Sequence, residues 1–193
     1  MNQRNLMDVD WSKIPAPVDD GGTAHLRGLK VPAVSLLATD DSTVTLSTLP
    51  GRTVVFAYPR TGEPGKIALV DDWDMIPGAR GCTPQNCSFR DLFAELKAAG
   101  AAHVFGLSTQ TRAYQTEMAS RLHLPFAVLS DDKLQLTRAL ELPTMEVAGL
   151  TMIKRLALII DKARITHVFY PVFPPDRNAA DVLAWLKENP AKT

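Results

Sequence analysis

Cysteine is nearly missing from this 193-residue sequence, which has only two, Cys82 and Cys87. Two are too few for a disulfide-stapled scaffold, and a chain of this length buries a sizeable core without one. An excess of charge is missing as well. Lysine plus arginine and aspartate plus glutamate each count 21, so the formal net charge is zero. Nothing in that balance points to nucleic acid or to an acidic membrane surface. No apolar run approaches the length of a membrane span. The first ten residues are polar and lack the apolar segment of a secretory signal. The four histidines, His25, His103, His123 and His167, are scattered without a metal-ligand spacing. Cysteines five apart also miss the spacing of a zinc knuckle. No Ser-His-Asp grouping, phosphate loop or internal repeat is visible. These absences leave a globular protein, expected in the cytoplasm and without a metal site.

What is present concentrates at Gly81-Cys82-Thr83-Pro84-Gln85-Asn86-Cys87-Ser88-Phe89-Arg90-Asp91. The stretch reads as a helix start, with Thr83 as N-cap and Pro84 at the first helical position. Phe89, Leu92, Phe93 and Leu96 then fall on one apolar stripe, and Gly100 stands where the helix should stop. Cys82 therefore lies at or just before a helix N-terminus. There, unsatisfied N–H groups and the positive end of the helix dipole favour the reactive thiolate. Cys87 lies about a turn further on and should be less activated and partly buried. On an intact helix, residues five apart have Cα atoms about 8.6 Å apart, whereas a disulfide needs roughly 7 Å or less. Bonding the two cysteines would require the first turn to unwind. They could equally be unrelated, one a reactive thiol and the other a small core residue.

Around this segment the chain alternates. Residues 1–30 read as an irregular arm, anchored by Trp11, and residues 31–193 as one domain. Short β-favouring runs at 34–37 and 43–46 flank Asp40-Asp41-Ser42 as a hairpin. Thr53-Val54-Val55-Phe56-Ala57-Tyr58 is a buried central strand ended by Pro59. Residues 60–80 form a long connection expected to wall the active site. In it, Trp73 and its neighbouring acids read as a solvated loop. Strands at 102–107 and 126–129 alternate with helices at 111–123 and from Asp131-Asp132 to about 140. Residues 143–152 read as a loop. Antiparallel strands at 155–161 and 165–170 and a last helix, capped by Asn178 or Asp176, complete an α/β pattern.

The segment from Pro77 to Asp91 resembles the active-site segment of peroxiredoxins, in particular the bacterioferritin-comigratory (Q-type) branch with its Gly-Cys-Thr-x-x-x-Cys-x-Phe-Arg-Asp pattern. The resemblance extends over about residues 31–188. It includes the turn Leu49-Pro50-Gly51, the strand ending in Tyr58-Pro59, Leu107-Ser108-Thr109, and the run from Leu124 to Asp131. It implies a thioredoxin-like fold: a central mixed β-sheet flanked by helices, with an N-terminal hairpin extension. It further implies a thiol peroxidase of the atypical two-cysteine type, which needs no metal, flavin or haem cofactor. Cys82 would attack hydrogen peroxide or an organic hydroperoxide, and Cys87 would resolve the sulfenic acid from the same chain. A thioredoxin-type dithiol would then reduce the disulfide. Arg155, six residues before Asp161, falls where the family places its active-site arginine. Arg80 is a rival source of positive charge, and an edge-strand ion pair is the plainer reading of Arg155. Pro59 is implied as a lid over the thiolate, although as a strand terminator it needs no such role.

One departure stands out. The family has a threonine or serine three residues before the reactive cysteine, where this chain has Ala79. Thr61, in the segment Tyr58-Pro59-Arg60-Thr61-Gly62 displaced by an insertion, is the candidate for the missing hydroxyl. No nucleic-acid or membrane partner is expected, and the protein should act as a monomer or weak dimer. A redox sensor or thiol-switch binding protein would use the same cysteine pair. A thioredoxin-like oxidoreductase would need the Cys-x-x-Cys motif that this chain lacks.

Overall fold

The computed structural model describes residue 7 and residues 9–191. The polar opening read at residues 1–10 therefore lies mostly outside the described residues, as do the last two residues of the 31–193 domain. The architecture is the expected one. A seven-stranded mixed sheet runs in the order β2-β1-β5-β4-β3-β8-β9. Its strands are β1 (Ser35–Ala38), β2 (Thr43–Thr45), β3 (Arg52–Ala57), β4 (Ala101–Ser108), β5 (Val128–Ser130), β8 (Leu156–Asp161) and β9 (Arg164–Phe169). Strand β3 lies parallel to β4 and antiparallel to β8, and β4 lies parallel to β5. The β1–β2 hairpin joins the same sheet through β5.

Strand β3 is buried along its whole length, which is why its sequence is continuously apolar rather than alternating. Its side chains divide by pleat. Val55 and Ala57 enter one core, with Leu26, Val31, Leu36, Leu136 and Ile153. Val54 and Phe56 enter the other, with Phe89, Leu96, Met118, Val182 and Leu186. The helices are α1 (Cys82–Asp91), α2 (Phe93–Ala98), α3 (Arg112–Arg121), α4 (Gln135–Ala139) and α5 (Asn178–Glu188). Leu136 of α4 belongs to the first core, whereas α1, α2, α3 and α5 cover the opposite face.

Several sequence expectations need correction. The apolar stripe read as one helix is two, because Leu92 leaves helical geometry at φ −100°, ψ 11°. Phe89 and Leu96, seven positions apart, are both fully buried in the same core despite that break. The helix expected to open at Asp131 begins only at Gln135. Asp131, itself buried, accepts hydrogen bonds from the Leu136 and Thr137 amides across an intervening turn. The 143–152 segment is a second sheet, β6 (Thr144–Val147) paired with β7 (Leu150–Ile153). Its two-residue turn is Ala148-Gly149, both at positive φ. Such turns favour Asn-Gly or Asp-Gly, so an Ala-Gly hairpin gives little signal in sequence.

The N-terminal arm is tied to the body by specific contacts. Trp11 Nε1 donates to Asp176 at 2.9 Å, and its ring meets Phe173 edge-on at 6.0 Å. Asp20 holds Lys154 at 2.6 Å and accepts from the Tyr170 hydroxyl at 2.7 Å. Leu26 is fully buried. Neither candidate cap of α5 acts as one. Asp176 is engaged by Trp11, and Asn178, the first residue of the helix, accepts from Gln85.

Candidate active site

Helix α1 begins two residues earlier than its sequence indicated. Gly81, not Thr83, is the N-cap, at φ 105°, and the Gln85 amide makes the first full helical bond to its carbonyl. Glycine takes this left-handed conformation without the cost that a threonine would meet. A Cβ at residue 81 would also lie 2.6 Å from Pro175 and 2.7 Å from the Trp11 ring, so the position is closed to side chains twice over. Pro84 is tolerated inside the first turn because that turn's N–H groups have no acceptor within the helix. Cys82 is thus the first helical residue, with its sulfur nearly buried.

Arg155, between β7 and β8, reaches this sulfur. Its Nη2 lies 3.2 Å from Cys82 Sγ and also donates to the carbonyls of Gly78 at 3.1 Å, Ala79 at 3.3 Å and Arg80 at 3.1 Å. Its Nη1 donates to Gln85 Oε1, and Gln85 Nε2 donates in turn to Asn178 Oδ1 at 2.8 Å. Arg155 is 2% exposed, yet among the described residues its partners are neutral oxygens and one sulfur, with no carboxylate. A buried cation without an anion is costly. Its sulfur partner, Cys82, is a group able to carry negative charge. Arg80, the rival cation, is also buried and faces Asp74 at 3.7 Å. Tyr58, below the site, is fully buried with its hydroxyl donated to Gln115, and burial pushes its phenol well above the usual value.

The 60–80 connection walls a cavity of about 290 Å³ that opens onto Cys82. Arg60, Thr61, Leu69, Trp73 and Arg80 line it together with Tyr114 of α3. Trp73 corrects the solvated-loop reading. It is buried against Ala79, Val147 and Met152, so the β6–β7 hairpin and the connection hold each other. Thr61 faces the cavity but donates its hydroxyl to Gln110 Oε1 at 3.2 Å. Pro59 lines a neighbouring cleft rather than the Cys82 cavity, and its carbonyl accepts from Ser108. The residues that sequence reasoning missed are Gln85, Asn178 and Trp73. The first two sit in ordinary helical sequence, and only the fold joins them.

Cys87 is a different kind of thiol. It is buried, and that burial raises its pKa above that of an ordinary cysteine. Its Sγ lies 3.7 Å from the Met7 sulfur. Both cysteines are free, on one intact helix. At any pH near neutrality a raised pKa means less thiolate, and burial limits access further. Iodoacetamide should therefore label Cys87 of the native reduced protein at least about tenfold more slowly than a free cysteine. Timed labelling read by peptide mass would show this. Labelling at the free-thiol rate would mean that α1 opens readily.

Among the described residues, no group of three or more His, Cys, Asp or Glu side chains could hold a metal. No described helix is long and apolar enough to cross a membrane.

Known proteins share sequence and fold with this chain. The Redoxin family matches residues 26–183. Chloroplastic peroxiredoxin Q of Oryza sativa subsp. japonica is 29% identical over 163 residues, covering 83% of this chain and 66% of the rice protein. That of Triticum aestivum is 30% identical over 159 residues, covering 81% of this chain and 64% of its own length. The chain thus spans just under two thirds of these relatives. The crystal structure of peroxidoxin BcpB from Mycobacterium tuberculosis superposes with a TM-score of 0.68 at 25% identity, covering 86% of this chain and all of that one. Peroxiredoxin Q of Xanthomonas campestris shares the fold, with a TM-score of 0.66 at 22% identity over 83% of this chain and 96% of its own.

Proposed function

Since the chain belongs to the Redoxin family, on its Q-type peroxiredoxin branch, we propose that it is a thiol-dependent peroxidase for hydrogen peroxide and organic hydroperoxides. The observation that carries this reading is the buried Arg155 guanidinium 3.2 Å from Cys82 Sγ, at the base of a cavity and on a helix N-terminus. The Cys82 thiolate attacks one peroxide oxygen. The S–O bond forms as the O–O bond breaks, and water or an alcohol leaves after taking up a proton. The sulfur, oxidised by two electrons, is left as a sulfenic acid. Arg155 and the first-turn amides stabilise charge on the sulfur before attack and on the departing oxygen during it. In this reading Cys87 then attacks the sulfenic sulfur, releasing water and forming a disulfide. A thioredoxin-type dithiol reduces that disulfide by exchange. A reducing compartment such as the cytoplasm suits two unpaired cysteines.

Because both cysteines lie on one intact helix, resolution requires α1 to unwind between them. The test is one turnover of reduced protein with one equivalent of hydrogen peroxide, followed by tryptophan fluorescence and intact mass. The parent should lose two hydrogens, Cys87→Ser should trap a sulfenic acid, and Cys82→Ser should not react. Oxidation of the parent no faster than a free thiol would overturn the peroxidase. Fast oxidation with Cys87 left free would keep it and move resolution to another thiol.

A further inference from the structure

The cavity is far larger than hydrogen peroxide requires. Its volume of about 290 Å³ is roughly ten times the ~30 Å³ that one water occupies in the liquid. Its lining includes an apolar group, Leu69, Ala68 and the buried Trp73. It also includes three cations, Arg60, Lys66 and Arg80, against a single acid, Glu63. These three cations are not equivalent. Lys66 is paired with Glu63, and Arg80 faces Asp74. Arg60 stands over the Tyr114 ring at 5.0 Å, and among the described residues no carboxylate pairs with it. The ring is itself fixed, because the Tyr114 hydroxyl donates to the Thr61 carbonyl at 2.9 Å. Arg60 is thus a cation held in place by an aromatic face, with its hydrogen-bonding fork not taken up by any acid among the described residues.

We propose that Arg60, propped by Tyr114, is a specificity-determining residue that holds the anionic end of a carboxylate-bearing organic hydroperoxide. The hydrocarbon body lies against Trp73 and Leu69, and the peroxide oxygens face Cys82. This rests on the peroxidase reading above, and it assigns to the 60–80 connection a role in choosing substrate rather than in breaking the O–O bond. Such a carboxylate would gain charge-assisted hydrogen bonds in a partly enclosed site. A neutral hydroperoxide of the same shape would not.

The test uses a matched pair, cumene hydroperoxide and its para-carboxylate. The parent protein should oxidise with the carboxylate about tenfold faster in kcat/KM. The preference should reside in KM rather than kcat, and it should shrink as salt is raised. Arg60→Gln should bring the ratio of the two substrates close to one, and Arg60→Lys should restore part of it. A ratio needs no assumption that a variant keeps full activity. Binding of the two product alcohols, read by tryptophan fluorescence, gives the same comparison without chemistry. If both hydroperoxides react but Arg60→Gln leaves their ratio unchanged, the assignment of Arg60 is overturned. If neither oxidises Cys82 while the carboxylated alcohol binds through Arg60, the peroxidase reading has failed and the anion contact stands without its substrate.

Discussion

Replacing Arg155 with methionine should slow oxidation of Cys82 by peroxide by ~10²–10³-fold, the usual cost of removing one preorganised charge-stabilising donor. The reason is geometric. A single Nη2 spans Cys82 Sγ and three backbone carbonyls, while Nη1 engages Gln85. The side chain therefore both orients the segment before the cysteine and brings positive charge to the sulfur. Methionine keeps much of the volume and loses both effects. Lysine keeps the charge but has no planar fork to reach sulfur and carbonyls together, so Arg155→Lys should fall between parent and methionine variant. Stopped-flow fluorescence against peroxide concentration measures the rate, and circular dichroism checks the fold. A loss below about fivefold in a folded Arg155→Met protein would show that the guanidinium holds the loop and contributes little to the chemistry.

Phe89→Ala should destabilise the protein by about 3–5 kcal/mol, the range for removing a buried aromatic side chain. Phe89 is fully buried and stacks on Phe56 of β3 with ring centroids 3.9 Å apart and planes 3° from parallel. Phe56 also meets Phe126 edge-on at 5.5 Å. This contact fastens the cysteine helix to the centre of the sheet. Small domains have only ~5–15 kcal/mol in total, so the variant should be marginal at growth temperature. The urea midpoint with an unchanged slope would report the loss. A change under about 1 kcal/mol would mean that the stack is replaced by other packing.

The parts legible in sequence were those with local causes. The cysteine segment, the β1–β2 hairpin, the buried strand β3 and the β8–β9 pair around Lys162-Ala163 each carry their signal within a few residues. The parts that were not legible depend on distant partners. Gln85 and Asn178 are 93 positions apart, and Gln85 and Arg155 are 70 apart. No periodicity marks residues that meet only after folding. Trp73 looked solvated because its sequence neighbours are acids, yet the β6–β7 hairpin buries it, and that hairpin was itself hidden by an unusual turn. The sequence signal for the helix start lies two residues late because Thr83 and Pro84 have the right chemistry for a cap. The backbone instead used a glycine into which Trp11 and Pro175 press.

That crowding at Gly81 has a consequence for biosynthesis. The end of the helix that presents Cys82 is enclosed by three stretches of chain around residues 11, 81 and 175. Arg155 is steadied through Gln85 by a side chain at position 178. Contacts of such long sequence separation form only after large loops have closed. On a ribosome, a chain that had emerged as far as β9 would already carry every residue of the cysteine segment and Arg155, but not Pro175, Asn178 or α5. At that stage the start of α1 would lack the Pro175 packing and the Asn178 hydrogen bond that enclose it. That end of α1 is therefore completed only with the docking of the last helix.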